Sequence, residues 1–362
     1  MIIDKSLTIF YKKMEDIYKI IVSEDKLNER FKLLTENALF DPAKNIIKNI
    51  CDLIDDKDGN FIKDFQSTGF DARLWEIYLF IFLYENLFEL INDFNRPDFH
   101  VKKKEYDFFI KASLSSEKND DKYSEQYIKK AVEKNDLVIQ KKLTDYYSIR
   151  LGSVLFSKLN KKYWELDWVK GKPIVLAITP SHNYIAKFLP DAKIMEYLYG
   201  VNIISKEIGG ELIHIKNEVV EEHTHGEKTI PSNFFSHPNT ENISAIIFSN
   251  NCDLHKFNRM GYEHKLSEKN LIMIRSGYKY DDSKPNAKAK DFTYQVEKGK
   301  STENWNESLT IFHNPNAKIP LDKDLFHNVR QLWVNDKGEF DGIMMKHFVY
   351  NSITGVSEIL DR

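Results

Sequence analysis

Two carboxylates in the first hundred residues sit where chemistry could be done. Glu76 lies in a mostly apolar stretch, Leu74 to Leu90, with Arg73 just before it. On a helix its same-face neighbours are Ala72, Arg73, Leu79, Phe80 and Leu83. A carboxylate on such a face is costly unless it pairs, binds a metal or takes up a proton. An Arg73–Glu76 pair one turn apart is one solution; a metal beyond the helix is the other. Asp98 follows Pro97, whose ring fixes the backbone where an extended run begins. An acid there stands at the rim of a sheet, or simply in a turn.

The elements that must position these acids follow from local pattern. Residues 1–65 read as helical, with Asp41 as cap and Pro42 in the first turn of a helix carrying Ile46, Ile47, Ile50 and Leu53. The run Asp55 to Asn60 is a polar break, without the ligand alternation and closing Glu of a calcium loop. Residues 70–92 form one long apolar helix. Phe99 to Val101 and Tyr106 to Ser113 are strands joined by Lys102, Lys103, Lys104 and Glu105. Residues 121–146 are a polar helix and 151–166 another. Ile174 to Ile178, Asn242 to Phe248 and Leu271 to Ile274 are apolar runs of strand length, the first continuous enough to be buried on both faces. Leu332 to Val334 and Phe348 to Tyr350 close the chain as strands. Helices alternating with such strands make a layered α/β domain.

Composition sets the limits. Of 362 residues 42% are hydrophobic, with 24 Phe, 18 Tyr and 5 Trp, so a large core can form. Net charge is −3, which excludes a strongly basic nucleic-acid coat but not local basic patches. The two cysteines, Cys51 and Cys252, offer neither a zinc spacing nor a disulfide framework and fit a reducing, cytoplasmic setting. No signal segment is expected from the first residues. The acids within 74–90 (Glu76, Glu85 and Glu89) argue against a membrane span. There is no Gly-rich phosphate loop, Walker lysine or nucleophile elbow.

The order helix with Glu, Pro-Asp, strand, turn, strand, helix, strand resembles the PD-(D/E)XK, or restriction-endonuclease-like, nuclease superfamily, in particular an uncharacterised bacterial branch. The stretches that carry the resemblance are Asp71 to Tyr78, Arg96 to Phe99, Leu155 to Leu159 with Lys161 to Trp164, Gly171 to Ile178, Lys256 to Gly261 and Phe312 to Ala317, spanning roughly residues 70–330. The resemblance implies a mixed central sheet flanked by helices over residues 67–362, with residues 1–66 as an N-terminal helical accessory segment. It also implies a Mg²⁺ (or Mn²⁺) site for hydrolysing phosphodiesters in DNA, of restriction or defence type. A homodimer, or other subunits of a defence system, would be its partners. Carried over residue by residue, Asp98 is the first strand acid and Glu76 the helix acid.

The second strand departs from the pattern, which asks for an acid, one spacer and a lysine. If Lys111 is that lysine, Phe109 stands at the acid position; if Lys111 stands at the acid position, Ser113 takes the lysine's place. Asp107, on the same strand face as Lys111, could substitute for the missing acid. The candidate site is therefore Glu76, Asp98, Asp107 and Lys111, the three acids as metal ligands. The alternative is a decayed site that binds nucleic acid or a protein partner without cutting. For nucleic acid the candidates are Lys102, Lys103, Lys158, Lys161, Lys162 and Arg259; solvated surface is the simpler reading of each lysine patch, and a turn the alternative for Arg259. Glu221 to His225 looks like a metal pair but reads as a solvated loop, and Asn258-Arg259 and Asn314 to Lys318 as polar loops. His313 could be a core histidine.

Overall fold

The computed structural model describes residues 15–56, 59–116, 134, 136–181, 186, 188–284 and 286–358; the expected polar helix over 121–146 lies outside them up to residue 135, apart from Lys134. Seven α-helices are described: α1 (Glu29–Glu36), α2 (Asp41–Cys51), α3 (Phe61–Gln66), α4 (Phe70–Glu85), α5 (Leu137–Leu159), α6 (Asp191–Tyr199) and α7 (Leu254–Glu263). The strands are β1 (Glu89–Ile91), β2 (Phe99–Lys103), β3 (Tyr106–Ser115), β4 (Ile174–Pro180), β5 (Val201–Ile208), β6 (Glu211–Val219), β7 (Glu222–His225), β8 (Lys228–Pro231), β9 (Ala245–Ser249), β10 (Leu271–Lys279), β11 (Lys290–Gln295), β12 (Leu309–His313), β13 (Arg330–Val334), β14 (Phe340–Ile343) and β15 (Val349–Glu358).

Eight strands form one mixed sheet in the order β1-β2-β3-β4-β9-β12-β13-β14. Its centre, β3-β4-β9, is parallel, and β1, β2, β12 and β14 each meet a neighbour antiparallel. Successive strand residues point to opposite faces, and both faces are apolar here. Phe108, Ile110, Val175, Ala177, Ala245 and Ile247 face one core, with α2, α3, α4 and α7. Phe109, Ile174, Leu176, Ile178, Ile246 and Phe248 face the other, with α5 and α6. The chain is thus a mixed α/β fold, a sheet covered by helices on both sides, with an N-terminal helical segment.

Helix α4 is apolar nearly all round, from Leu74 to Leu83, because it is buried nearly all round. It ends at Glu85, earlier than its apolar pattern suggests. Leu87 turns left-handed (φ 61°) and Glu89–Ile91 joins the sheet edge, so β-pairing overrides the helical pattern over 86–92. Likewise the helix expected over 151–166 starts at Leu137 and stops at Leu159; Lys162 is left-handed at φ 48°. In α2, Asp41 is the first helical residue, not a side-chain cap. The N-terminal helices contribute Phe31, Leu34, Ile46, Ile47, Ile50 and Phe65 to the same core as Trp75 of α4 and Ile110 of β3. The expected closing strands are present: Leu332 to Val334 lie in β13 of the main sheet, and Val349 and Tyr350, just after Phe348, start β15, which pairs with β10 in a separate sheet of order β11-β10-β15.

Candidate functional site

The ladder between β2 and β3 decides the register at the site. Phe99 pairs with Ile110 and His100 with Phe109, so Asp98, one residue before β2, lies across from Lys111. Lys111 Nζ donates to Asp98 Oδ1 at 2.5 Å, and the Ala112 N–H donates to Asp98 Oδ2 at 2.7 Å. Both carboxylate oxygens are thus engaged by β3. Lys111 thus faces Asp98 across the ladder, and does so under either alignment of the motif. Ser113, two residues on along the same face, is buried with its hydroxyl unpartnered.

A cleft of about 410 Å³ opens beside this pair, between the start of α4, the end of the α2–α3 connection and the loop before β2. Five acids line it (Asp55, Asp56, Asp64, Glu76 and Asp98) against two cations, Arg73 and Lys111. Glu76 reaches it from α4. Arg73 donates to Glu76 Oε2 at 2.8 Å and to Asp64 Oδ2 at 2.7 Å, so the one-turn pair expected from spacing is present with a second acid attached. Burial, and then the negative charge of Asp98, push the Glu76 carboxyl up to about 7 against the opposing pull of Arg73 and Lys111. Burial also works against the charge on Lys111, but Asp98 outweighs it and its ammonium is held above its ordinary value. Asp98 thus opposes ionisation of Glu76, while Arg73, and after it Lys111, favour it.

Asp107 does not join this group. It sits four residues from Lys111 on β3, roughly 13 Å along the strand. It accepts from Lys172 Nζ at 2.7 Å and lies 2.6 Å from His100 Nε2, whose ring stacks on Phe109. It is committed to the strand's other end and does not line the cleft.

The divalent metal that the resemblance implies does not suit the donors present. Mg²⁺ takes carboxylate oxygens not already held by other cations. Here Glu76 is held by Arg73, Asp98 by Lys111 and a backbone N–H, and Asp107 is turned elsewhere. Among the described residues no three His, Cys, Asp or Glu side chains come together in a way that could hold a metal ion.

The basic candidates divide. Lys102 and Lys161 are exposed. Lys162 is exposed and 3.4 Å from Glu165. Lys158, half-buried at the end of α5, is depressed by burial and then by the nearby Lys111 charge, which places it beside the site. Lys103 is occupied: its ammonium donates to the carbonyls of Asn86 and Leu325 and lies 4.5 Å from the Phe88 ring centre. Arg259 cannot meet a ligand. It is 1% exposed in α7, not in a loop, and makes two bonds to Glu303 and one to Thr354. Asn258 beside it bridges to Ala43 and Leu39, tying α7 to α2. The loop reading of Asn258-Arg259 is therefore corrected: both lie on α7 and face inward, Asn258 satisfied by the backbone of Leu39 and Ala43, Arg259 by Glu303 and Thr354.

Glu221 to His225 is also corrected, since most of it forms the β7–β8 hairpin, with His223 buried. His223 Nε2 lies 3.2 Å from Ser232 Oγ, and Nδ1 3.9 Å from Glu196 Oε1. The order resembles a nucleophile relay. However, all three residues are buried, and Ser232 Oγ donates to the Glu196 carbonyl, so the trio fastens the hairpin to α6. Asn314 bonds the carbonyls of Thr240 and Ile243 and shapes a turn. His313 is a core histidine, bonded to Gln331 and pushed down to about 4, chiefly by burial.

Two features had no sequence signal. One is the Arg73–Asp64 bond, nine residues apart across a helix break. The other is a buried cluster in which Lys256, Arg259 and Arg275 surround Glu303, with Glu307 beside it. Compared with protein-family models, curated proteins and solved structures, the chain matches none. Among the described residues no helix is long and apolar enough to cross a membrane.

Proposed function

We propose that this chain is a nuclease-fold module that no longer hydrolyses phosphodiesters and works by binding, with nucleic acid as its partner. The observation that carries the reading is Lys111 standing across the ladder from Asp98 and neutralising it. Metal-assisted hydrolysis needs a cation that activates water and stabilises the leaving oxygen. A lysine ammonium supplies charge but no coordination sites. Support for nucleic acid comes from Lys158 at the end of α5 beside the site and the exposed Lys161 just after that helix; Lys102, exposed on β2, pairs with Asp107 at the far end of the ladder. The cleft itself, acid-rich, would repel a bare phosphate, so contact is expected at the rim and should weaken steeply with salt.

A second reading, a Mg²⁺-dependent DNA endonuclease, is favoured by the convergence of Glu76 and Asp98 on one cleft. One experiment separates the two. Purified protein is incubated with supercoiled plasmid and short duplexes in Mg²⁺ or Mn²⁺, beside Asp98→Ala, and duplex binding is followed by fluorescence anisotropy at two salt concentrations. Salt-dependent binding without nicking is the expected result. Metal-dependent nicking that disappears in Asp98→Ala would establish the nuclease instead.

A further inference from the structure

The cleft holds more negative charge than its cations balance, yet its two innermost acids are each matched to one cation from the chain itself. Glu76 is bonded to Arg73 and Asp98 to Lys111. The Arg73 pair belongs to the helix, since both residues lie on α4 one turn apart and Arg73 also holds Asp64. The Lys111 pair is different. It crosses from one strand to the loop before another, and the Lys111 side chain is only 19% exposed. Its charge acts on Glu76 as well as on Asp98. A compact, strongly charged ammonium bonded to Asp98 in the cleft that Glu76 also lines does electrostatically at Asp98 what a bound cation would do there.

We infer that Lys111 is a built-in counter-cation that closes the Glu76–Asp98 cleft to divalent metals, and that exchanging it for a carboxylate opens a divalent-cation site in its place. This rests on the reading of the chain as a module that does not cleave. The physical reason is charge and space together. Lys111→Glu replaces the ammonium that faces Asp98 with a second carboxylate, in a cleft that Glu76 also lines. Facing carboxylates repel one another when ionised, and a divalent cation shared between them relieves that repulsion. The strand geometry that brings Lys111 to Asp98 also brings the new carboxylate there, because residues paired across a ladder keep their side chains on one face. Arg73 stays on Asp64 and part of Glu76, so the new site would be built chiefly on Asp98 and residue 111, with Glu76 at its edge.

The test uses Mn²⁺ alone on the full chain, read by titration calorimetry and by melting temperature, with no dependence on activity. Wild type should show no saturable Mn²⁺ binding in the cleft. Lys111→Glu should bind Mn²⁺ at least tenfold more tightly than wild type, with a metal-dependent rise in melting temperature, and adding Asp98→Asn should abolish both. If Lys111→Glu fails to fold, Lys111→Gln removes the ammonium at similar size and should show the same gain more weakly, again lost with Asp98→Asn. A folded Lys111→Glu or Lys111→Gln that stays blind to Mn²⁺ would overturn the inference while leaving the non-cleaving reading, tested by plasmid nicking, intact. Wild-type binding of Mn²⁺ that depends on Asp98 would overturn the inference directly; with nicking, it would overturn that reading too.

Discussion

At the scale of single residues, the site is a problem of who neutralises whom. Glu76 is an acid in a poor place for a charge: burial disfavours its ionised form, and Asp98 adds repulsion that Arg73 and Lys111 only partly cancel. A carboxyl whose folded value is raised contributes stability that is present below its unfolded pKa, near 4.5, and lost as pH climbs through the folded value, near 7. Glu76→Gln keeps the shape and removes the titration. The variant should match wild type near pH 4.5 and exceed it at pH 8.5 by about 1–2 kcal/mol, the fraction of the rise from 4.5 to about 7 that survives partial exposure. Urea unfolding at the two pH values measures this; a variant less stable than wild type at pH 8.5 would show that the Arg73 bond outweighs the cost of the charge.

Between elements, the tightest constraint is where α7 crosses α2. A Cβ built on Gly261 would lie 2.1 Å from the Pro42 carbonyl oxygen, a backbone atom that cannot swing aside. Gly261→Ala should therefore push the helices apart and destabilise the fold by about 3 kcal/mol, at the upper end for overpacking a core. The loss should appear as a lower urea midpoint with an unchanged slope. The same helix carries the buried charges. Glu303 is fully buried and held well below its ordinary value because Arg259, Arg275 and Lys256 together outweigh its burial. It joins α7 to β10 and to the segment before β12. These charges are arranged for one another, which is why Arg259 is closed to any ligand. A surface arginine and a core arginine look alike in a sequence; what separates them is a glutamate some forty residues away in the chain.

For the molecule as a whole, the N-terminal helices and the sheet share one core. Residues 15–66 supply Phe31, Leu34, Ile46, Ile47, Ile50 and Phe65 to the layer that α4 and α7 lay on the sheet. Each large apolar side chain left uncovered forgoes about 1.5–3 kcal/mol of burial, and losing several exceeds the 5–15 kcal/mol of net stability usual for a native protein. A chain beginning at residue 67 should accordingly fail to fold, giving insoluble product or a circular dichroism spectrum without a cooperative thermal transition. A soluble, cooperatively melting 67–362 fragment would show that the helical segment is an appendage.

Strand and helix existence was legible in the amino-acid sequence because it depends on short-range pattern. The apolar run Ile174 to Ile178 announces a strand buried on two faces, and the Leu74 to Leu83 run a helix buried all round. Glu76 and Asp98 draw attention because each stands at a marked place, one turn after an arginine and directly after a proline, and Asp107 and Lys111 because the resemblance asks for an acid and a lysine on the second strand. What the sequence left open was the partner of each charge. Register places Lys111 against Asp98 instead of leaving it free beside an acid, and it sends Asp107 to His100 and Lys172. Helix packing turns Arg259 inward to Glu303, and a hairpin buries His223 against Glu196 and Ser232. A side chain's type fixes which interactions are open to it, but the energy of a charge depends on neighbours a few ångströms away, and those are assembled only when distant segments meet.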